Sequence, residues 1–185
     1  MIRRSLAVLL AILSLRAPAA AQEVPLGCPE AGTVIKTNLG GEFRFEGANG
    51  IYCNFSSRSG KRYSHYALLA DDGTQLAARY GKRVAEMWPL SVGKSTEIQF
   101  DEGGATWYFN YEVLRAERVT VPAGTFDTLV VLYTEQGLNG FKGTRTYWYA
   151  PQVGYFVKFE PQIIHGIRGG APERPWEAVS IAKNN

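Results

Sequence analysis

Long apolar runs are missing from this sequence. The longest extends from Leu6 to Leu13, well short of the about 20 residues that a membrane-crossing helix requires, so no transmembrane segment is expected in the mature chain. Histidine and cysteine are scarce, with two of each. His65 and His165 stand far apart, and a zinc site needs three or four ligands, so neither a metal nor a cofactor is expected. Motifs of catalysis are missing too. No serine sits in a Gly-x-Ser-x-Gly elbow. Gly93-Lys94-Ser95 lacks the upstream glycine of a phosphate-binding loop, and Ser59-Gly60-Lys61 reads as a turn. Acids adjoin only at Asp71-Asp72 and Asp101-Glu102, followed by Gly73 and Gly103, which is turn chemistry. Neighbours on a strand face opposite ways, so neither pair forms an acid–base couple. A glycoside hydrolase would have to bring carboxylates together from separate strands. The expectation is a non-enzymatic protein.

What is present begins with a charged start. Arg3-Arg4 precedes the apolar run, and Ala19-Ala20-Ala21 closes it before Gln22. A positive n-region, a short apolar h-region and an A-x-A site predict a secretory signal peptide at 1–21 and export to the bacterial periplasm or beyond. The residues after Arg3-Arg4 fit a twin-arginine signal poorly. Removing Arg3, Arg4 and Arg16 from 20 basic residues leaves 17 against 17 acidic ones. The mature chain, 22–185, is then neutral, and no nucleic-acid partner is expected. Its length predicts one domain.

Cys28 and Cys53 both fall in the mature chain. In an oxidising compartment a lone pair is most simply one disulfide. Pro25-Leu26-Gly27-Cys28 is the rival, as a weak lipobox whose cysteine would carry lipid. Against it, Arg16 and Glu23 separate the apolar run from Cys28, and Leu26 stands one place too late.

Turn signals punctuate the rest. Asn49-Gly50 and Asn139-Gly140 are the dipeptides of type I′ hairpins, and Gly40-Gly41, Ser59-Gly60, Gly103-Gly104 and Pro122-Ala123-Gly124 add further reversals. Between them, runs rich in β-branched and aromatic residues predict strands at 33–38, 42–46, 51–56, 62–69, 95–100, 106–121, 125–135, 142–149, 155–160 and 176–182. Trp107, Phe109, Tyr111 and Val113 alternate and share one face. Val153, Tyr155, Val157 and Phe159 repeat the pattern, with Lys158 and Glu160 opposite. One stretch breaks the rhythm. Leu76, Tyr80, Val84, Met87 and Trp88 recur at helical spacing, with Thr74 placed to cap and Pro89 to stop a helix over 75–88. Gly81 costs that helix about 1 kcal/mol against alanine. The irregular stretch 168–175 is the longest loop. The fold class is mainly β: a curved antiparallel sheet or incomplete barrel with one covering helix.

The surplus is aromatic. Tyr147-Trp148-Tyr149 sends Trp148 to one face and two tyrosines to the other, and Trp107-Tyr108-Phe109 does the same. Large aromatics on both faces require either a two-sided core or a face that lines a cavity. Trp107, Phe109, Tyr111, Tyr147, Trp148 and Tyr149 are therefore the candidate ligand-binding residues, with Lys142, Arg145 and Lys158 available as a polar rim. An apolar lipid or acyl chain on a concave face is the first ligand class. A cell-envelope glycan stacked on an exposed Trp107 or Trp148 is the alternative, and a structural subunit of an envelope assembly is a third.

Three segments carry a resemblance. Trp88-Pro89-Leu90-Ser91-Val92-Gly93-Lys94, then Val119-Thr120-Val121-Pro122-Ala123-Gly124-Thr125-Phe126-Asp127-Thr128, then Tyr147-Trp148-Tyr149-Ala150-Pro151-Gln152-Val153-Gly154-Tyr155-Phe156-Val157-Lys158 resemble, in that order, the bacterial envelope proteins of the family DUF3108, a domain of unknown function. The resemblance implies a signal-bearing antiparallel β protein, akin to the half-barrel folds of lipoprotein carriers. It brings no catalytic residues. It leaves residues 22–87, with both cysteines, outside.

Overall fold

The structure, a computed structural model, describes residues 23–71, 75–102, 104–138, 140–166 and 172–183. The expected leader at 1–21, Gln22, Asp72, Gly73, the expected cap Thr74, Gly103, Asn139 and the first part of the 168–175 loop lie outside the described residues.

Ten of the strands read from the sequence form, with an eleventh too short to show a pattern. In chain order they are β1 (Thr33–Thr37), β2 (Glu42–Asn49), β3 (Tyr52–Ser57), β4 (Arg62–Tyr66) and β5 (Ala70–Asp71). The helix α1 (Gln75–Ala85) follows. Then come β6 (Ser95–Glu102), β7 (Ala105–Val121), β8 (Gly124–Gly137), β9 (Lys142–Ala150), β10 (Tyr155–His165) and β11 (Trp176–Lys183). All pair antiparallel in one open sheet ordered β5-β4-β3-β2-β1-β11-β10-β9-β8-β7-β6.

The first and last strands meet in the middle of that order. Trp176 and Glu177 pair with Phe159 and Lys158 of β10, while the rest of β11, from Ala178 to Lys183, pairs with β1. A strand that changes partner along its length makes a corner, and here it joins two half-sheets at an angle. The halves curl toward each other. Tyr155 of β10 meets Phe45 of β2 with ring centroids 4.8 Å apart, and the Tyr111 hydroxyl of β7 donates to the Leu69 carbonyl, 2.8 Å away, beside β5.

Helix α1 spans the gap that remains. It packs on β4 and β5 at one edge and on β6 at the other. Tyr80 meets Phe100 of β6 at 5.7 Å, and the Arg83 guanidinium donates to the Glu97 carbonyl, 3.2 Å away. Gly81 has its reason here: a Cβ on it would lie 2.9 Å from the ring of Tyr66. The helix ends at Ala85, earlier than the sequence pattern predicts. Met87 and Trp88 instead donate to the carbonyls three residues back, since the residue before Pro89 is driven out of the helical region.

Three other expectations are corrected. The strand expected over 62–69 stops at Tyr66, because Ala67 and Leu68 take positive φ, 49° and 59°, and the chain turns a corner. The β2–β3 reversal is centred on Gly50-Ile51, Asn49 pairing with Tyr52, with Gly50 at φ 60°. Glycine thus stands at the first central position, as in a type II′ turn, not at the second. The alternation expected from Val153 to Phe159 breaks at a bulge between Phe156 and Lys158, and Tyr155, Phe156 and Val157 are all buried. A bulge adds one residue and shifts the phase of everything after it.

The N-terminal segment closes one end. Val24 exchanges backbone hydrogen bonds with Leu90, Tyr149 donates to the Gly27 carbonyl, and Cys28 is disulfide-bonded to Cys53 of β3 with Cα atoms 5.4 Å apart. Gly154, at φ 73°, lies so near Cys28 that a Cβ would come within 2.8 Å of its carbonyl carbon.

Two stability outcomes follow from these contacts. Gly81→Ala raises helix propensity by about 1 kcal/mol but overpacks Tyr66, which costs about 1–3 kcal/mol. Its urea midpoint is expected below that of the wild type, and a higher midpoint would refute the packing account. Replacing both Cys28 and Cys53 with serine is expected to remove about 3 kcal/mol by the chain-entropy relation, read by urea denaturation of oxidised wild type against the double variant.

Candidate functional site

Strand alternation aims one face of nearly every long strand into the space inside the curl. From β7, β8 and β9 come Tyr111, Tyr133, Arg145 and Tyr147. From β10 and β11 come Tyr155, Phe159 and Trp176, and from β2, β3 and β4 come Phe43, Phe55, Tyr63 and His65. Leu68, Leu69 and Ala70, at the strained corner, complete the wall. These residues enclose a cavity of about 570 Å³, within the range of about 300–1,000 Å³ typical of small-molecule sites. More than half of the described lining residues are phenylalanine, tyrosine or tryptophan. The rings pack edge to face and tilted, as in Phe43–Phe55 at 5.6 Å and Tyr147–Phe159 at 5.1 Å, which suits aromatic quadrupoles.

The corner at Ala67 and Leu68 is held from outside its own strand. Trp88 Nε1 donates to the Ala67 carbonyl at 2.8 Å, and Tyr111 holds the next turn through Leu69. Two successive non-glycine residues in the left-handed region cost roughly 1–3 kcal/mol each, and these hydrogen bonds, with Ala67 N–H donating to the Ile51 carbonyl at 2.8 Å, help hold the corner in place.

Polar groups also reach the lining, at Glu42, Ser57 and His65 and in one ionic cluster whose Arg145 and Glu135 are buried. Arg145 donates from Nε to Glu173 Oε2 at 2.7 Å and from Nη1 to Glu135 Oε2 at 3.1 Å. Its guanidinium carbon lies 4.9 Å from the Tyr133 ring centroid. Burial pulls the guanidinium down, but Tyr147 and Glu173 outweigh it, and the group stays above its ordinary range. Burial pushes the Glu135 carboxyl up, against the opposing pull of Arg145. Burial, helped by Tyr111 and Glu135, puts the Tyr133 hydroxyl well above the usual phenol range. Tyr133 therefore stays a neutral hydroxyl at physiological pH. Elsewhere in the lining, the Tyr155 hydroxyl lies 3.4 Å from His65 Nδ1, with the two rings stacked.

Of the six aromatic residues picked from sequence, Tyr111 and Tyr147 line the cavity. Phe109 stands behind the wall, stacked between Phe100 and Tyr133 at 4.8 and 5.5 Å. Trp107 is half-buried beside Phe141. Tyr149 is fully buried under Trp88, its hydroxyl pushed up to about 12 by burial, which the Gly27 hydrogen bond only partly offsets. Trp148 faces the other way, buried, with the Lys158 ammonium 4.8 Å from its ring centroid. The rim is corrected accordingly. Arg145 lines the cavity, Lys142 is exposed, and Lys158 stands away from it, paired with Glu160 and Glu177. Sequence reading missed Phe43, Phe55, Tyr63, His65, Tyr133, Tyr155, Phe156, Phe159 and Trp176 as site residues. The period-two spacing of Phe43 with Phe45 and of Tyr63 with His65 was the available signal.

The family model for proteins of unknown function, DUF3108, matches residues 73–167, just over half of the chain. The chain belongs to this family. The DUF3108 match takes in α1, which the resemblance read from sequence had left outside, and runs through β10. It contains Tyr111, Tyr133, Arg145, Tyr147 and Phe159, whereas the walls from β2 to β4 and Trp176 lie beyond it. No curated protein matches the sequence. Two solved structures are similar to it. One, from Bacteroides fragilis, is described as a candidate exported protein with a YmcC-like fold. It is 13% identical with a TM-score of 0.40, covering 86% of this chain and 100% of its own. The other is a candidate lipoprotein from Parabacteroides distasonis, 14% identical with a TM-score of 0.41, covering 87% and 100%. Likeness of that degree says nothing about a ligand.

Removing the Tyr111 hydroxyl tests the corner. Tyr111→Phe leaves the ring in the wall but withdraws the donor from the Leu69 carbonyl. It is expected to cost about 1 kcal/mol and to speed amide hydrogen exchange at residues 67–70 ahead of the rest of the sheet. Unchanged exchange there would show that the corner does not depend on Tyr111.

Proposed function

We propose that this chain is a non-catalytic binding protein, exported to the bacterial periplasm, that holds an apolar ligand, a lipid or acyl chain, in the cavity of its curved sheet. The observation that carries this reading is the aromatic-lined cavity itself. Its walls come from both half-sheets, so a ligand there would touch rings from both, among them the partly exposed Phe43, Tyr63, Tyr147 and Trp176. Burial of apolar surface is worth about 25 cal/mol per Å² before the costs of association are counted. The signal-like segment at 1–21 and the Cys28–Cys53 disulfide support the oxidising compartment. The glycan alternative has less support, because Trp148 is buried and Trp107 half-buried, and a sugar platform needs an exposed ring. No helix among the described residues is long and apolar enough to cross a membrane.

Native mass spectrometry of the protein purified from a periplasmic extract, with lipid extraction in parallel, tests the proposal. The expected result is an added mass released on denaturation and recovered in the lipid fraction. A bare protein mass, together with no saturable uptake of a twelve-carbon fatty acid or alcohol, would overturn it and favour a structural subunit.

A further inference from the structure

The binding reading leaves the buried ionic cluster unexplained, and the cluster narrows the class of ligand. Arg145 is anchored on β9, an interior strand between β8 and β10, and lines the cavity. Its two carboxylate partners differ in kind. Glu135 belongs to β8, the neighbouring strand, and its side chain is 9% exposed. Glu173 belongs to the irregular stretch before β11, and its side chain is 42% exposed. Glu135 is thus a fixed counter-ion. Glu173 reaches into the cavity from its margin, and water can solvate it without moving the sheet.

We infer that the Arg145 guanidinium is the recognition group for a ligand carboxylate, and that Glu173 occupies its position in the ligand-free protein as an exchangeable surrogate. This inference rests on the apolar-cavity reading. It specifies a single-chain amphiphile with a free carboxylate, in other words a fatty-acid-like molecule and not an acyl chain held in an ester or amide.

Charge arithmetic supports the exchange. Replacing one carboxylate on Arg145 by another leaves the net charge of the cluster unchanged, and Arg145 keeps Glu135 throughout. No buried guanidinium is stranded, which would otherwise be strongly unfavourable. Arginine's fork fits a planar carboxylate with two parallel donors, and the Glu173 contact at 2.7 Å already has the length of a charge-assisted hydrogen bond. The Tyr133 ring beneath the guanidinium limits its movement, so the donor geometry is set before a ligand arrives. The aromatic walls then lie where the alkyl chain of such a ligand would run, from Tyr147 and Phe159 toward Phe55 and Leu68.

The test compares dodecanoate with dodecanol at neutral pH by titration calorimetry on the full mature protein. Wild type is expected to bind the acid roughly tenfold more tightly than the alcohol, the discrimination that about 1.4 kcal/mol of charge-assisted bonding provides. Arg145→Gln should bring that ratio near one, and Arg145→Lys should retain part of it. Glu173→Gln, on an exposed segment, should tighten dodecanoate several-fold more than dodecanol, because the competing carboxylate is gone. If Arg145→Gln fails to fold, the Glu173→Gln comparison decides alone. An acid-to-alcohol ratio near one in wild type, or one unmoved by Glu173→Gln, overturns the inference while leaving an apolar site intact. Absence of binding by both probes overturns the inference together with the reading beneath it.

Discussion

Strands β5 and β6 end the sheet, and between them the ladder of backbone hydrogen bonds is broken. An open sheet edge leaves N–H and C=O groups unpaired, and a sheet curled this far brings both edges close to the same space. Helix α1 is the part of the chain that lies between them in sequence, and it occupies the gap in three dimensions. Its grip differs on the two sides. Against β4 it approaches closely, through Gly81 on Tyr66. Against β6 it uses a ring contact from Tyr80 and the Arg83 bond to a backbone carbonyl at the edge. The bridge adds a third connection to the continuity through β11 and to the ring and hydrogen-bond contacts that the half-sheets make across the curl.

The bridge has a cost, visible at Ala67 and Leu68. To leave β4, form the two-residue β5 and enter the helix, the chain takes two left-handed residues that are not glycine. Trp88, just past the helix, and Tyr111, on the far half-sheet, each hydrogen-bond that corner. The elements flanking the gap therefore stabilise the strained turn that lets the gap be spanned. The disulfide works at the same end, tying the N-terminal segment to β3, so that three separate stretches of chain are fixed around one end of the cavity.

Most strand positions were legible in the sequence because the turns are local. Glycine, proline and asparagine mark reversals through φ alone, and period two follows from the pleat. What depended on partners was not legible. β5 has two residues and exists only because β4 pairs with it. The bulge at Phe156 and Lys158 shifts the facing of later residues by one, which no single-strand pattern reveals. The site was half visible for the same reason. Tyr111 and Tyr147 stood out within aromatic clusters, whereas Phe43 and Tyr63 are separated in sequence from those clusters by dozens of residues and reach them only through the β1–β11 pairing, and Trp176 reaches them through its pairing with Phe159 of β10. Trp148 misled because alternation gives a face but not what covers it.

Protein interiors are packed about as densely as organic crystals, and the rest of this core conforms, with Val113, Val130, Val131 and Val157 wholly buried. The interior of the curl does not. If emptiness cost what it costs in core truncations, about 24 cal/mol per Å³, a sealed void of about 570 Å³ would cost about 14 kcal/mol, comparable to the whole stability of a typical domain. The space avoids that cost by opening to water, while most of its rings are covered by one another, with Phe55, Tyr111 and Tyr155 at most 3% exposed. The space is thus open at one side and walled by rings from both half-sheets, with Arg145 and its two carboxylate partners set among them.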